Sequence, residues 1–101
     1  MEKAMALIYI VEDDESIREI ETIALKNSNY IVSAFENAKE FYKKLDELVP
    51  DLILLDVMLP DIDGFTVTRR IRQEGITTPV LYLTARDDTQ DKVMGLTVGG
   101  D

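Results

Sequence analysis

Hydrophobic and polar positions along this chain fall into two alternating rhythms. Short, nearly continuous apolar runs occur at Ala6–Val11, Tyr30–Phe35, Asp51–Asp56 and Pro79–Leu83. Between them, apolar residues recur at three- and four-residue intervals, the spacing of one helix face. The runs are rich in Leu, Ile and Val and suit strands. The third has no polar interruption, which predicts a strand buried on both faces, as in a parallel sheet. The first helical stretch takes Asp14 or Ser16 as its cap and places Ile17, Ile20, Ile23 and Ala24 on a buried stripe. Ser16 and Glu19 have capping-box spacing, as do Asn37 and Glu40 before the second stretch. That second helix repeats Ala38, Phe41, Leu45 and Leu48, and Pro50 ends it. A loop over Val57–Asp63 leads to Gly64 and a third helix reaching about Gln73, with Phe65, Val67 and Ile71 inward. A last helix is predicted over roughly Asp88–Val98, stopped by Gly99 and Gly100.

Strict alternation of strand and helix implies a parallel sheet with right-handed crossovers and helices on both faces. Ligands of such sheets bind beyond the carboxyl ends of the strands, where strand order reverses. Two strands end there in acids: Val11 runs into Glu12-Asp13-Asp14, and Leu55 runs into Asp56. If strands one and three are neighbours, Glu12, Asp13 and Asp56 share one crevice. Carboxylates repel by roughly 4 kcal/mol per pair at 4 Å and an effective dielectric near 20. A cation relieves that repulsion, and an all-oxygen ligand set suits a hard divalent ion, Mg²⁺ above all.

Composition narrows the chemistry. The chain has 101 residues, 46% hydrophobic and 31% charged, which fits a single folded domain. A formal charge of −9 disfavours direct nucleic-acid binding. There is no histidine and no cysteine, so imidazole catalysis, thiolates, disulfides and zinc–sulfur sites are excluded within these residues. No apolar stretch approaches the roughly 20 residues that span a bilayer. Acids follow the apolar run at the N-terminus, so no signal peptide and a cytoplasmic location are expected.

Each candidate has a plainer role to set beside the chemical one. Asp56 could be a carboxylate nucleophile that becomes an aspartyl phosphate, or a solvated turn residue. Asp13 could ligate a metal or cap a helix, but Glu12, Asp13 and Asp14 exceed what one cap requires. Thr84 follows the fourth strand and could hydrogen-bond a phosphoryl oxygen or simply form a turn. The loop after Asp56 sets backbone angles through Pro60 and Gly64, and Met58 could offer its backbone carbonyl to a metal. Arg69, Arg70 and Arg72 read as a solvated helix face, and Tyr9, Tyr82 and Phe65 as core or boundary aromatics.

Together these segments resemble the receiver domain of two-component response regulators. The resemblance rests on Ile-Tyr-Ile-Val-Glu12-Asp13-Asp14-Glu, Pro-Asp-Leu-Ile-Leu-Leu-Asp56-Val-Met-Leu-Pro60-Asp-Ile-Asp-Gly64, Pro-Val-Leu-Tyr-Leu-Thr84-Ala85-Arg and Asp-Lys-Val-Met-Gly95-Leu, in order over about Leu7 to Asp101. It implies a flavodoxin-like, doubly wound parallel α/β sheet of order 2-1-3-4, with residues 1–101 forming a truncated receiver domain. It implies that Asp56 is the phosphoacceptor, taking its phosphoryl group from the phosphohistidine of a sensor histidine kinase. Asp13 would ligate Mg²⁺ directly together with Asp56, Glu12 would act mostly through water, and Met58 would offer its carbonyl. Thr84 would bind the phosphoryl group and act as the switch residue, with Ala85 leaving space beside it. Such a module is not an enzyme beyond self-catalysed phosphotransfer. The wording of the motifs is most similar to the transcriptional class, whose DNA contacts come from a winged-helix domain absent from this chain.

The chain also departs from the family. Members continue past Asp101 into a fifth strand with an essential lysine and a fifth helix, and none of Lys39, Lys43, Lys44 or Lys92 takes that lysine's place. Missing both elements, the fourth strand is expected to be a bare apolar edge and one sheet face to be uncovered. Both predict self-association as a dimer or larger. Impaired signalling follows from the same departure. Two rivals remain at this point: an Mg²⁺-dependent phosphatase of the haloacid-dehalogenase type, and an interaction module that is not phosphorylated. The first expects Asp-x-Asp after the first strand, where this chain has Glu-Asp-Asp.

Overall fold

β1 (Leu7–Val11) lies inside the sheet, hydrogen-bonded on one side to β2 (Ile31–Phe35) and on the other to β3 (Leu52–Asp56), both parallel to it, in the computed structural model of the chain. The structure describes residues 5–83 together with 97–98. β4 (Val80–Leu83) pairs in parallel with β3, and β5 (Thr97–Val98) pairs antiparallel with β4. The order is β2-β1-β3-β4-β5, so the parallel part has the predicted 2-1-3-4 arrangement. Three helices connect the strands: α1 (Glu15–Asn27), α2 (Ala38–Glu47) and α3 (Gly64–Gln73).

The register sorts the strand residues onto two faces. Tyr9, Val11, Ile53, Leu55, Val80 and Tyr82 point to one side, where they form a single cluster with Ala38, Phe41 and Leu45 of α2 and Val67 and Ile71 of α3. The Tyr9, Phe35 and Phe41 rings meet edge-on there, at centroid distances of 5.2–6.2 Å. The Tyr9 hydroxyl donates to Leu48 O at 2.7 Å, which satisfies the polar end of a fully buried ring. The other face carries Ile8, Ile10, Leu52, Leu54, Leu81 and Leu83 in register. α1 contributes nothing to the first cluster and packs on this second side, against β1 and β2.

Helix caps follow local chemistry. Asp14, not Ser16, caps α1 by accepting from Ile17 N at 3.0 Å. Asn37 caps α2 and Asp63 caps α3, each accepting from the N–H three residues on.

Several expectations are corrected. Ile20, Ile23 and Ala24 are exposed; the inward face of α1 is Ile17, Arg18, Glu21, Thr22 and Leu25, each half-buried. α1 meets β2 and β1 through its Ile17–Leu25 face, which leaves Ile20, Ile23 and Ala24 off the packing face. Leu48 is exposed because α2 ends at Glu47, one residue before it could join the stripe. Phe65 is half exposed, since it packs edge-on to Tyr82 at the rim of the first cluster (4.7 Å) and not within it. Over Leu52–Leu55, β3 is fully buried on one face only: Ile53 and Leu55 are buried, while Leu52 and Leu54 are half-buried. Thr97–Val98 is strand where the end of a helix was expected, and the rest of that expected helix lies outside the described residues. Two β-branched residues are well suited to this pairing. The β4 edge is therefore not bare. Leu81 pairs with Val98 and Tyr82 with Thr97, so the chain itself takes up the backbone groups through which self-association was expected.

Candidate functional site

The carboxyl ends of β1 and β3 lie side by side because Val11 pairs with Leu55. The next residue of each strand is an acid, so adjacency in the sheet becomes adjacency of charge. One oxygen from each of Glu12, Asp13 and Asp56 lies within 4.8 Å of the others. Glu12 and Asp56 are buried, at 2% and 6% exposure, and Asp13 opens to solvent. The three residues singled out from sequence are thus brought together.

Their neighbours hold the pocket in shape. Glu12 N donates to Phe35 O, tying the end of β1 to β2 (3.0 Å). Arg18 Nη1 reaches back from α1 to donate to Glu12 O at 2.8 Å. Glu12 Oε2 accepts from Asp14 N at 3.1 Å, whereas Glu12 Oε1 is buried with no hydrogen-bond partner. Asp56 Oδ1 accepts from Met58 N at 3.1 Å. The loop that follows is pinned at both ends: Gly64 N donates to Val57 O (2.7 Å), and Met58 and Asp63 form a β-bridge. Asp61 accepts from Ala38 N and Lys39 N, joining this loop to the start of α2 (3.2 and 3.1 Å).

Electrostatics sets the character of the pocket. Burial, reinforced by the charge of Asp56, pushes Glu12 up to about 8, against the Asp14 N–H that favours its ionised form. Burial also raises Asp56, helped by the charge of Asp13 and opposed by the Met58 N–H. Glu21 of α1 is pushed up to about 7 by burial and by Asp56. Apart from the Arg18 contact to a backbone oxygen, no described cation hydrogen-bonds into this cluster. Hard oxygen donors, a buried oxygen without a partner and carboxylates held above their ordinary range are the chemistry of a divalent-cation site, so the donor set fits Mg²⁺.

Sequence reasoning missed Glu21, Arg18 and Asp61. For Glu21 the available signal is its four-residue spacing from both Ile17 and Leu25. Met58 N is placed at the pocket by its bond to Asp56, while its side chain is exposed. Thr84 and Ala85 lie outside the described residues. Among the described residues, no helix is long and apolar enough to cross a membrane.

Comparison with known proteins agrees with this geometry. The response regulator receiver domain family matches residues 8–101. The chain is 44% identical over 94 residues to the alkaline phosphatase synthesis transcriptional regulatory protein PhoP of Bacillus subtilis, covering 93% of this chain and 39% of that protein. It is 38% identical over 94 residues to the transcriptional regulatory protein TrcR of Mycobacterium tuberculosis, covering 93% and 37%. It thus spans about two fifths of the length of these relatives. Among solved structures it is similar to the chemotaxis response regulator CheY4 of Vibrio cholerae, with TM-score 0.78, 28% identity and coverage of 91% of this chain and 78% of that one. The non-phosphorylated HemR receiver domain of Leptospira biflexa gives a TM-score of 0.74 at 31% identity, covering 89% and 73%. Family match, strand order and the acidic pocket agree: the chain belongs to the receiver domains of response regulators.

Proposed function

We propose that Asp56 accepts a phosphoryl group from the phosphohistidine of a sensor histidine kinase, in the cytoplasm, and that the modification controls transcription. The observation that carries this reading is the acid cluster at the ends of β1 and β3, where Asp56 is buried beside Glu12 and Asp13. An oxygen of Asp56 attacks phosphorus, the phosphorus–nitrogen bond breaks, and the imidazole of the kinase leaves. Met58 N holds Asp56 Oδ1, which leaves Oδ2 to act as the nucleophile. Asp13 and Asp56 would hold Mg²⁺ directly, with Glu12 acting through water and Met58 through its carbonyl. Bound there, Mg²⁺ supplies positive charge that offsets repulsion between these carboxylates and the phosphoryl oxygens. Thr84 would bind the phosphoryl group and act as the switch, with Ala85 leaving room for it. The transcriptional names of the relatives support an output on DNA, made through a winged-helix domain and not through these acidic residues.

The test is intact-mass measurement after incubation with Mg²⁺ and a phosphorylated histidine-kinase domain. One added phosphoryl group is expected, lost in Asp56→Asn and when Mg²⁺ is chelated. An unchanged mass for the wild-type chain, or a phosphoryl group retained in Asp56→Asn, refutes the assignment.

A further inference from the structure

α1 carries a residue that its own packing does not explain. Glu21 lies on the inward face of the helix, one turn from Ile17 and one turn from Leu25, both half-buried. Its Oε1 is buried with no hydrogen-bond partner, and no ion pair is formed to it among the described residues. Arg18, one turn earlier, directs its guanidinium to Glu12 O and not to Glu21. Meanwhile Ile20 and Ile23 on the same helix face solvent, at 67% and 52% exposure. A helix stabilised only by packing would hold these residue types the other way round.

The sheet register indicates what Glu21 faces. Ile8 and Ile10 lie on the α1 side of β1, and Glu12 continues that alternation. Asp56 follows Leu52 and Leu54 on the same side of β3. The inward face of α1 and the two buried acids therefore share one side of the sheet. Glu21 and Asp56 sense each other's charge, as do Glu21 and Glu12.

We propose that Glu21 is a positioning charge for the cation pocket: a fourth, half-buried carboxylate with one buried oxygen, not itself a ligand, whose field raises affinity for a divalent cation and whose partial burial destabilises the metal-free protein. The inference rests on the metal-binding reading of Glu12, Asp13 and Asp56. Without the cation, Glu21 adds repulsion to a buried acidic cluster and has no partner of its own. With the cation in place, its double positive charge attracts Glu21 and offsets most of the repulsion from Glu12, Asp13 and Asp56, so the ion binds more tightly when Glu21 is ionised.

The experiment pairs Mg²⁺ titration by calorimetry with thermal unfolding in Mg²⁺-free buffer. It compares wild type, Glu21→Gln, Glu21→Leu, the outward control Glu19→Gln and the ligand control Asp13→Asn. The proposal expects both Glu21 variants to bind Mg²⁺ more weakly, on the order of tenfold for a buried charge acting across a partly screened gap. It also expects both to melt at higher temperature than wild type without metal. Glu19→Gln should change neither quantity. Equal Mg²⁺ affinity in wild type and Glu21→Gln, with Asp13→Asn impaired, overturns the role of Glu21 and leaves the metal pocket standing. A lower metal-free melting temperature in Glu21→Gln also overturns it, by showing that the carboxylate stabilises the fold directly. Failure of wild type to bind Mg²⁺ removes the pocket itself, and the role of Glu21 with it.

Discussion

Gly64 and Asp56 are in contact through their backbones: a Cβ built on Gly64 stands 2.7 Å from Asp56 O and 3.1 Å from Val57 Cα. Gly64 is also the first residue of α3, so the helix begins against the chain segment that carries the candidate phosphoacceptor. Bare backbone is needed here for closeness. The obstructing atoms are main chain and cannot rotate aside. Gly64→Ala is expected to cost about 1–3 kcal/mol, as for overpacking a buried site, and to displace Asp56. Urea unfolding measures the first effect, and phosphoryl acceptance from the kinase domain measures the second. A variant with wild-type values for both would show that the loop yields without cost.

A hydrogen-bond chain links β4 to this same helix start. The Tyr82 hydroxyl donates to Thr68 Oγ1 at 2.8 Å, and Thr68 Oγ1 donates to Gly64 O at 3.1 Å, both in buried surroundings. Tyr82→Phe removes a donor but leaves Thr68 its own acceptor, so a loss of about 1 kcal/mol is expected. Thr68→Val strands the Tyr82 hydroxyl and should cost more, about 1–3 kcal/mol. The double variant should cost less than the sum of the two, because once the hydroxyl is gone nothing is stranded. Strict additivity in chemical denaturation would show that the two hydroxyls do not act together.

Asp61 gives the β3–α3 loop its second anchor by accepting from the first two N–H groups of α2. Asn37 already serves the next N–H of that helix through Glu40 N, so the two caps divide the orphan donors between them. Asp61→Ala should therefore cost about 0.5–2 kcal/mol, the usual range for losing a cap. Asp61→Asn should retain about half of it, since its single amide oxygen can accept from only one of the two N–H groups that Asp61 serves with separate oxygens. Equal losses in the two variants would point to charge and not hydrogen bonding as the cause.

The acidic rim of the fold was legible because it depends on order along the chain. Alternating runs predict a parallel sheet, the receiver resemblance implies the 2-1-3-4 order that makes β1 and β3 neighbours, and the acids after Val11 and Leu55 then fall together. The inward face of α1 was not legible, because residue type places the isoleucines at 20 and 23 inward and gives no reason to turn a glutamate at 21 inward. Position in the three-dimensional field decided otherwise. The edge of β4 failed for a related reason: pairing with Thr97–Val98 is a non-local event that periodicity in a short window cannot register. The caps lay between these cases. Asn37 was found by spacing, whereas Asp61 caps a helix 23 residues before it in sequence, beyond any local motif.

The pocket also makes stability depend on pH with a definite sign. Glu12 at about 8 and Glu21 at about 7 lie above the value of 4.5 for an unperturbed glutamate, and Asp56 is raised as well. Between pH 4.5 and about 8 the folded, metal-free protein therefore holds more protons than the unfolded chain. The slope of unfolding free energy against pH is then negative, and stability falls as pH rises through this window. Partial solvent access tempers the effect, which should amount to about 1–3 kcal/mol. A melting temperature several degrees higher near pH 5.5 than near pH 8 is expected in chelator-treated protein. The overall charge of −9 contributes in the same direction, so the specific part is read from Glu12→Gln, in which the slope should flatten. Mg²⁺ should oppose the trend, because a cation binds the ionised cluster and its stabilisation by mass action grows as protons leave. The Mg²⁺-induced rise in melting temperature should therefore be larger near pH 8 than near pH 5.5, and absent in Asp13→Asn. A metal-free protein that gains stability toward pH 8 would mean that these carboxylates are already compensated, and the acidic pocket would lose its reason for holding a cation.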